Sequence, residues 1–223
     1  MVTRALIIYG GWEGHQPGQC ARLVASILER DGVDVELSDS LATLDHPEML
    51  AHFSVIIPCW TMGDLTPERE RHLTDAVRGG IGLAGWHGGM ADAFRSATDY
   101  QFMVGGQFVA HPGGIIDYRV EITDRDHPIT RGLGDFDVHT EQYYLHVDPS
   151  NHVLATTTFT GEHAPWIAGC RMPVAWTRRY GEGRVFCCSI GHVADDLRIP
   201  EVSALIRRGA LWAARALDED RTA

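Results

Sequence analysis

Nowhere in these 223 residues does an apolar run approach the roughly 20 residues a membrane-spanning helix needs, so no membrane partner is expected. The five cysteines are odd in number and form no Cys-x-x-Cys pair. That excludes a disulfide framework and points to a reduced, cytoplasmic setting. Cys187 and Cys188 stand side by side in an apolar run, the usual place of small core residues. Positive charge is scarce: 19 Lys and Arg against 30 Asp and Glu leave a net charge of −11, which disfavours nucleic acid as a partner. The first loop lacks Gly-x-Gly-x-x-Gly, and residues 10–18 hold neither serine nor threonine to cradle a phosphate. Neither a nucleotide nor a flavin is therefore expected. Repeats and low-complexity segments are also lacking. The opening Met1-Val2-Thr3-Arg4 before apolar Ala5 to Tyr9 imitates a signal peptide, yet Gly10-Gly11-Trp12-Glu13-Gly14 follows with no small-residue cleavage site. A buried first strand is the expectation.

What is present reads as one globular core: 44% hydrophobic and 22% charged residues fit a folded rather than a disordered chain. In the first half, strand and helix alternate. Ala5 to Tyr9 is a continuous apolar run, as in strands buried on both faces. Cys20, Leu23, Val24, Ile27 and Leu28 recur at helical spacing, and Asp31-Gly32 ends that helix. Val33 to Leu37 and Phe53 to Pro58 are further strands. Thr66-Pro67-Glu68 opens a second helix with a capping hydroxyl, a proline and an acid, and Gly79-Gly80 stops it. Ile81 to Gly85 is a fourth strand, broken by a sharp turn at Trp86-His87-Gly88-Gly89. This rhythm predicts a doubly wound, mainly parallel α/β sheet.

From Gly105 to about Trp176 the pattern turns β-rich and helix-poor, with strands expected at Ile115 to Ile122, Gln142 to Val147 and Val153 to Thr158. We expect a single domain over 1–223 in which 105–176 is a β-rich insertion covering the carboxyl edge of the sheet. Gly183 to Ser189 resumes the parallel pattern. A last helix carries Val202, Leu205, Ile206, Gly209, Trp212 and Ala213 on one face.

Function in such a sheet gathers where strands end and loops begin. Four segments there carry reactive side chains: His15 after the first strand, His87 after the fourth, Glu141 in the insertion and His192 after the last strand. The glycines beside His87 suggest close backbone approach and an exposed ring. His111, His127, His139, His146, His152 and His163 read first as solvated loop residues, with His111 the strongest candidate among them. Trp12, Trp60, Trp86 and Trp166 offer faces on which a pyranose could stack, or ordinary packing. Cys59 closes an apolar run with no base or cation beside it, so an inert thiol is expected.

These segments, in order, resemble the ThuA (trehalose utilisation) family of the class I glutamine amidotransferase-like superfamily. The resemblance lies in Gly82-Leu83-Ala84-Gly85-Trp86-His87-Gly88, in Gly105-Gly106-Gln107-Phe108-Val109-Ala110-His111-Pro112, and in His127-Pro128-Ile129-Thr130-Arg131-Gly132-Leu133. It continues through Glu141-Gln142-Tyr143-Tyr144, Met172-Pro173-Val174-Ala175-Trp176, Gly181-Glu182-Gly183-Arg184-Val185 and Gly191-His192. It implies a flavodoxin-like sheet, a link to disaccharide catabolism through 3-keto-sugars, and a divalent metal. The amidotransferase elbow presents a cysteine nucleophile, and here that position is His87, so glutamine hydrolysis is not expected.

The reading is then a metal-assisted enzyme acting on a keto-sugar or keto-disaccharide. His15, His87, Glu141 and His192 would hold zinc or manganese, and His87, Glu141 and His192 would carry the catalysis. Trp12, Trp86, His111 and Tyr144 would contact the sugar. Metal-holding and proton-moving roles compete for the same residues, and a homo-oligomer stays open. The rival is a non-catalytic sugar-binding or regulatory module on the same scaffold.

Overall fold

The computed structural model describes residues 2–217. In chain order its elements begin with β1 (Arg4–Gly11), α1 (Pro17–Glu29), β2 (Asp34–Ser38), α2 (Pro47–Leu50), β3 (Val55–Thr61) and α3 (Pro67–Arg78). There follow β4 (Gly82–Trp86), α4 (His87–Ala91), α5 (Thr98–Val104), β5 (Gly106–Ala110), β6 (Ile115–Ile122) and β7 (Phe136–Glu141). The remainder is β8 (Tyr144–Val147), β9 (His152–Thr158), β10 (Arg171–Tyr180), β11 (Gly183–Cys188) and α6 (Pro200–Ala213). Among the described residues no helix is long and apolar enough to cross a membrane.

The fold is mixed α/β, built on one nine-stranded sheet in the order β2-β1-β3-β4-β11-β10-β9-β6-β7. The first five of these are parallel to one another. The apolar runs of β1, β3, β4 and β11 are buried on both faces because helices cover both sides, whereas β2, at the sheet edge, is mostly exposed. Ala5 and Ile7 of β1 join the cluster under α1 and α6, whereas Leu6 and Ile8 join the one under α3 and α5. The end signals of α3 act as the sequence predicts: the Thr66 hydroxyl accepts from the Arg69 amide at 3.2 Å, and Gly79 closes the helix. Gly209 lets α6 lie directly on the sheet, since a Cβ there would stand 2.1 Å from Phe186.

The other four strands are antiparallel. A two-residue connection, Gly181-Glu182, returns β10 against β11 and so ends the parallel pattern. No strand was expected at β7 or β10. β6 pairs with β9 only through Glu121 and Ile122, while all of β7 pairs along β6. Most of β6 and β7 thus form a two-stranded ribbon that diverges from the sheet, with Glu141 at its free end. β5 and β8 form a separate pair.

Candidate metal centre

His15 lies in the short turn after β1, Thr61 ends β3, His87 follows β4 and His192 follows β11. All four sit at the carboxyl ends of parallel strands, and the ribbon brings Glu141 to meet them. One ligand atom from each of His15, His87, Glu141 and His192 lies within 4.8 Å of all the others. Three of these loops carry left-handed backbone at a residue other than glycine: Gln16 (φ 50°), Met62 (φ 58°) and His87 (φ 47°). Such strain persists only where packing enforces it, and it gathers at functional sites.

Two of the three rings are oriented by a bond on the outer side. His15 Nδ1 meets the Thr61 hydroxyl at 2.7 Å. His87 Nδ1 lies 2.9 Å from the Ser189 carbonyl, which can only accept, so Nδ1 carries the proton. His87 Nε2 then faces Glu141 Oε2 at 3.0 Å. In a neutral ring that nitrogen is a lone pair directed at a carboxylate, and a proton or a cation must lie there. His192 Nδ1 is 3.4 Å from the same carboxylate oxygen, is buried, and finds no hydrogen-bond partner among the described residues. Its loop is fixed from behind. Asp196 accepts from the His192 amide at 2.9 Å and from the Thr140 hydroxyl at 2.6 Å, tying the loops that carry His192 and Glu141. Tyr143 stacks on His87 with ring centroids 4.0 Å apart.

Electrostatics follow from this crowding. Burial, then the neighbouring His87 and His192 rings, lowers the His15 imidazole to about 3, so it is neutral at ordinary pH. Burial alone would raise the Glu141 carboxyl, but the His192 and His87 imidazoles hold it well below the usual carboxylate range. The Glu141 contact raises His192 against the opposing effect of burial. Three imidazoles and a carboxylate suit a borderline divalent ion. The unpartnered His192 nitrogen and the facing His87–Glu141 pair are the features such an ion would satisfy.

The sequence profile of the ThuA family, described as trehalose utilisation, matches residues 4–213. The chain belongs to the ThuA family. No curated protein matches it. Among solved structures it is similar to a ThuA-like protein of Bacteroides uniformis, with 18% identity and a TM-score of 0.78 over 95% of this chain and 91% of that one. A ThuA-like protein of Parabacteroides merdae gives the same identity and TM-score over 96% and 90%. A cytoplasmic protein of Salmonella typhimurium gives 15% identity and a TM-score of 0.68 over 95% and 99%. At these identities the likeness is one of fold.

In this ThuA-family chain some sequence expectations need correction. His87 is not exposed but 1% accessible. The adjacent glycines serve close packing: a Cβ at Gly88 would stand 2.4 Å from His15 Cε1, and one at Gly89 would stand 2.9 Å from Cys59 Cα. Trp86 is 2% exposed and offers no face to a sugar, because it ends a strand buried on both sides. Tyr144 is directed away, against Phe159, while its neighbour Tyr143 faces His87, since successive residues of an extended chain point oppositely. Trp12 stays half-exposed, with its ring 4.7 Å from that of His15. His111 Nε2 lies 3.7 Å from Glu141 Oε1 at the rim. Thr61, Tyr143 and Asp196 were not anticipated. Thr61 was within reach of the strand-end argument, and Asp196 lies only four residues beyond His192.

Proposed function

We propose that this chain is a metal-dependent enzyme of carbohydrate catabolism acting on a keto-sugar or keto-disaccharide, with the ion held by His15, His87, Glu141 and His192. The observation that carries the reading is the His87–Glu141 contact. With Nδ1 committed to Ser189, a ring nitrogen and a carboxylate oxygen 3.0 Å apart call for a proton or a metal ion between them, and the buried His192 Nδ1 beside them, without a hydrogen-bond partner among the described residues, favours the ion. The family description supports a role in sugar metabolism. When bound, zinc or manganese would supply Lewis-acid polarisation of a sugar carbonyl.

The chain's own residues do the rest. Thr61 and the Ser189 carbonyl aim two of the rings, and Asp196 positions the His192 loop. Tyr143 covers one face of His87 and keeps water from it. His111, outside the four, is the group best placed to hold or move a proton at Nε2, beside Glu141. Trp12 offers an apolar face for a pyranose next to His15. Thiol chemistry of the amidotransferase kind has no support. Burial pushes the Cys59 thiol well up and the Cys20 and Cys188 thiols to about 12, leaving no ready thiolate at these three.

The order β2-β1-β3-β4 followed by β11 supports a flavodoxin-like, amidotransferase-like parallel half. Five free thiols and a neighbour named as cytoplasmic support a cytoplasmic location. The test is turnover of a 3-keto-disaccharide by tag-free protein before and after chelation. Loss on chelation with recovery on adding zinc or manganese is expected. Turnover indifferent to chelation would contradict the reading, and stoichiometric metal without turnover of any keto-sugar would favour a binding module.

A further inference from the structure

We propose that the open face of the β6–β7 ribbon binds the second ring of a two-ring sugar. The proposal rests on the reading of the His15–His87–Glu141–His192 centre as the place where the first ring reacts. Ile115 opposes Glu141 in the β6–β7 ladder, Asp117 opposes His139, and Arg119 opposes Asp137. Directly opposed residues share a face, so these pairs form one row beginning at the Glu141 carboxylate. At ~3.4 Å per residue, the Asp117–His139 pair stands roughly 7 Å along the row and the Arg119–Asp137 pair roughly 14 Å. A ring linked to one bound at the centre would extend over that span.

The two faces of the ribbon differ. Val120, Phe136 and Val138 point into the core shared with α1 and α6, while Asp117, Arg119, Asp137 and His139 on the row are polar and exposed. A merely solvated strand face would be flat. Here the segment after β9 rises beside it, with Thr160, Glu162 and His163 as a wall, and encloses a groove of about 510 Å³. That lies within the ~300–1,000 Å³ typical of small-molecule sites. Gln142, next in sequence to Glu141, lines the groove and is held by Thr157 at 2.8 Å. Ile115, half-exposed at the junction, offers an apolar surface to the C–H face of a pyranose.

The lining also fixes the chemical class. Asp117 and His139 bond to each other at 2.9 Å and Arg119 to Asp137 at 3.1 Å, so it is the second Asp117 oxygen and Glu162 that accept hydroxyl protons, and His139 Nε2 and the remaining Arg119 N–H groups that meet hydroxyl oxygens. Three carboxylates, Asp117, Glu121 and Glu162, stand against the single guanidinium of Arg119. That balance favours a neutral polyol over a sugar phosphate.

The probes are trehalose and glucose, titrated separately into the full-length isotope-labelled protein while backbone amide shifts are followed. Trehalose should bind at least about tenfold more tightly than glucose, the worth of one or two net hydrogen bonds, with shifts on β6, β7 and residues 158–163. His139 is two-thirds exposed, so His139→Ala and the groove-filling His139→Trp should both fold. Each should erase the trehalose advantage and leave glucose and zinc affinity unchanged. Equal affinities in the native protein, an advantage that survives both substitutions, or no binding of either sugar would overturn the groove. Zinc titration of the same samples reads the metal centre separately, so failure of that centre is distinguishable from failure of the groove.

Discussion

His15 is strongly perturbed by burial, and its pH behaviour can be worked out. Its folded value near 3 lies below the ordinary 6.5, so the unfolded chain takes up the proton first. The stability it contributes is complete above pH 6.5 and is lost as pH falls from there toward 3. Glu141, also depressed, acts in the same sense below its ordinary 4.5; His192, raised, acts oppositely, losing its contribution as pH rises past 6.5. Metal-free protein should therefore melt at falling temperature between pH 6.5 and 3, and His15→Gln should flatten that slope. An unchanged slope in His15→Gln would contradict the assignment. Asp196 is a positioning residue, bonded to the His192 amide and to Thr140. Replacing it with alanine should weaken zinc binding by about 10–100-fold, read by competition titration; unaltered affinity would remove it from the account. The sequence suffices to nominate His15, His87, Glu141 and His192, because each ends or follows a predicted strand or lies in a quoted motif. It could not separate Tyr143 from Tyr144, since one step along an extended chain reverses the side chain.

At the scale of elements, the β4–α4 elbow carries the site. Gly88 has no contact role of its own, yet an added Cβ would meet His15 Cε1 at 2.4 Å and Nδ1 at 2.6 Å. Gly88→Ala should cost about 1–3 kcal/mol, as overpacking does, and should lower zinc affinity although no ligand is altered. Gly134→Ala, where nothing lies within 4 Å of the added carbon, is the control. Equal melting temperatures for the two variants would mean the elbow is slack. Elements with long apolar runs or clear caps, such as β1, β3 and α3, were legible. β10 was not, because Pro173 interrupts it and the register shifts between Pro173 and Ala175. β7 has only Phe136 and Val138 as apolar residues and so no apolar run, and α5, at seven residues, is too short for a periodic signal.

Over the whole molecule, the parallel half and the β-rich half are joined through the sheet and through side chains. β10 lies directly against β11, and the Trp176 indole donates to the Val104 carbonyl at 3.0 Å. Arg208 of α6 reaches the carbonyls of Ile129 and Arg131. Limited proteolysis should accordingly yield no stable fragment ending near Gly105, and an independently folded 1–105 piece would contradict a single domain. The antiparallel half was the least legible from sequence, because ladder partners such as Ile115 and Glu141 are distant in the chain and no local pattern pairs them. That same ladder delivers Glu141 to three histidines from the other half, and the functional account depends on the convergence. The most direct measurement is the metal content of protein purified without a histidine tag, followed by zinc titration of the metal-free protein and of Glu141→Gln. One ion per chain is expected and, in Glu141→Gln, a loss of affinity beyond the roughly 10–100-fold that follows from losing a supporting partner. Protein that takes up no stoichiometric ion, or a Glu141→Gln titration superimposable on that of the native chain, would contradict the metal centre.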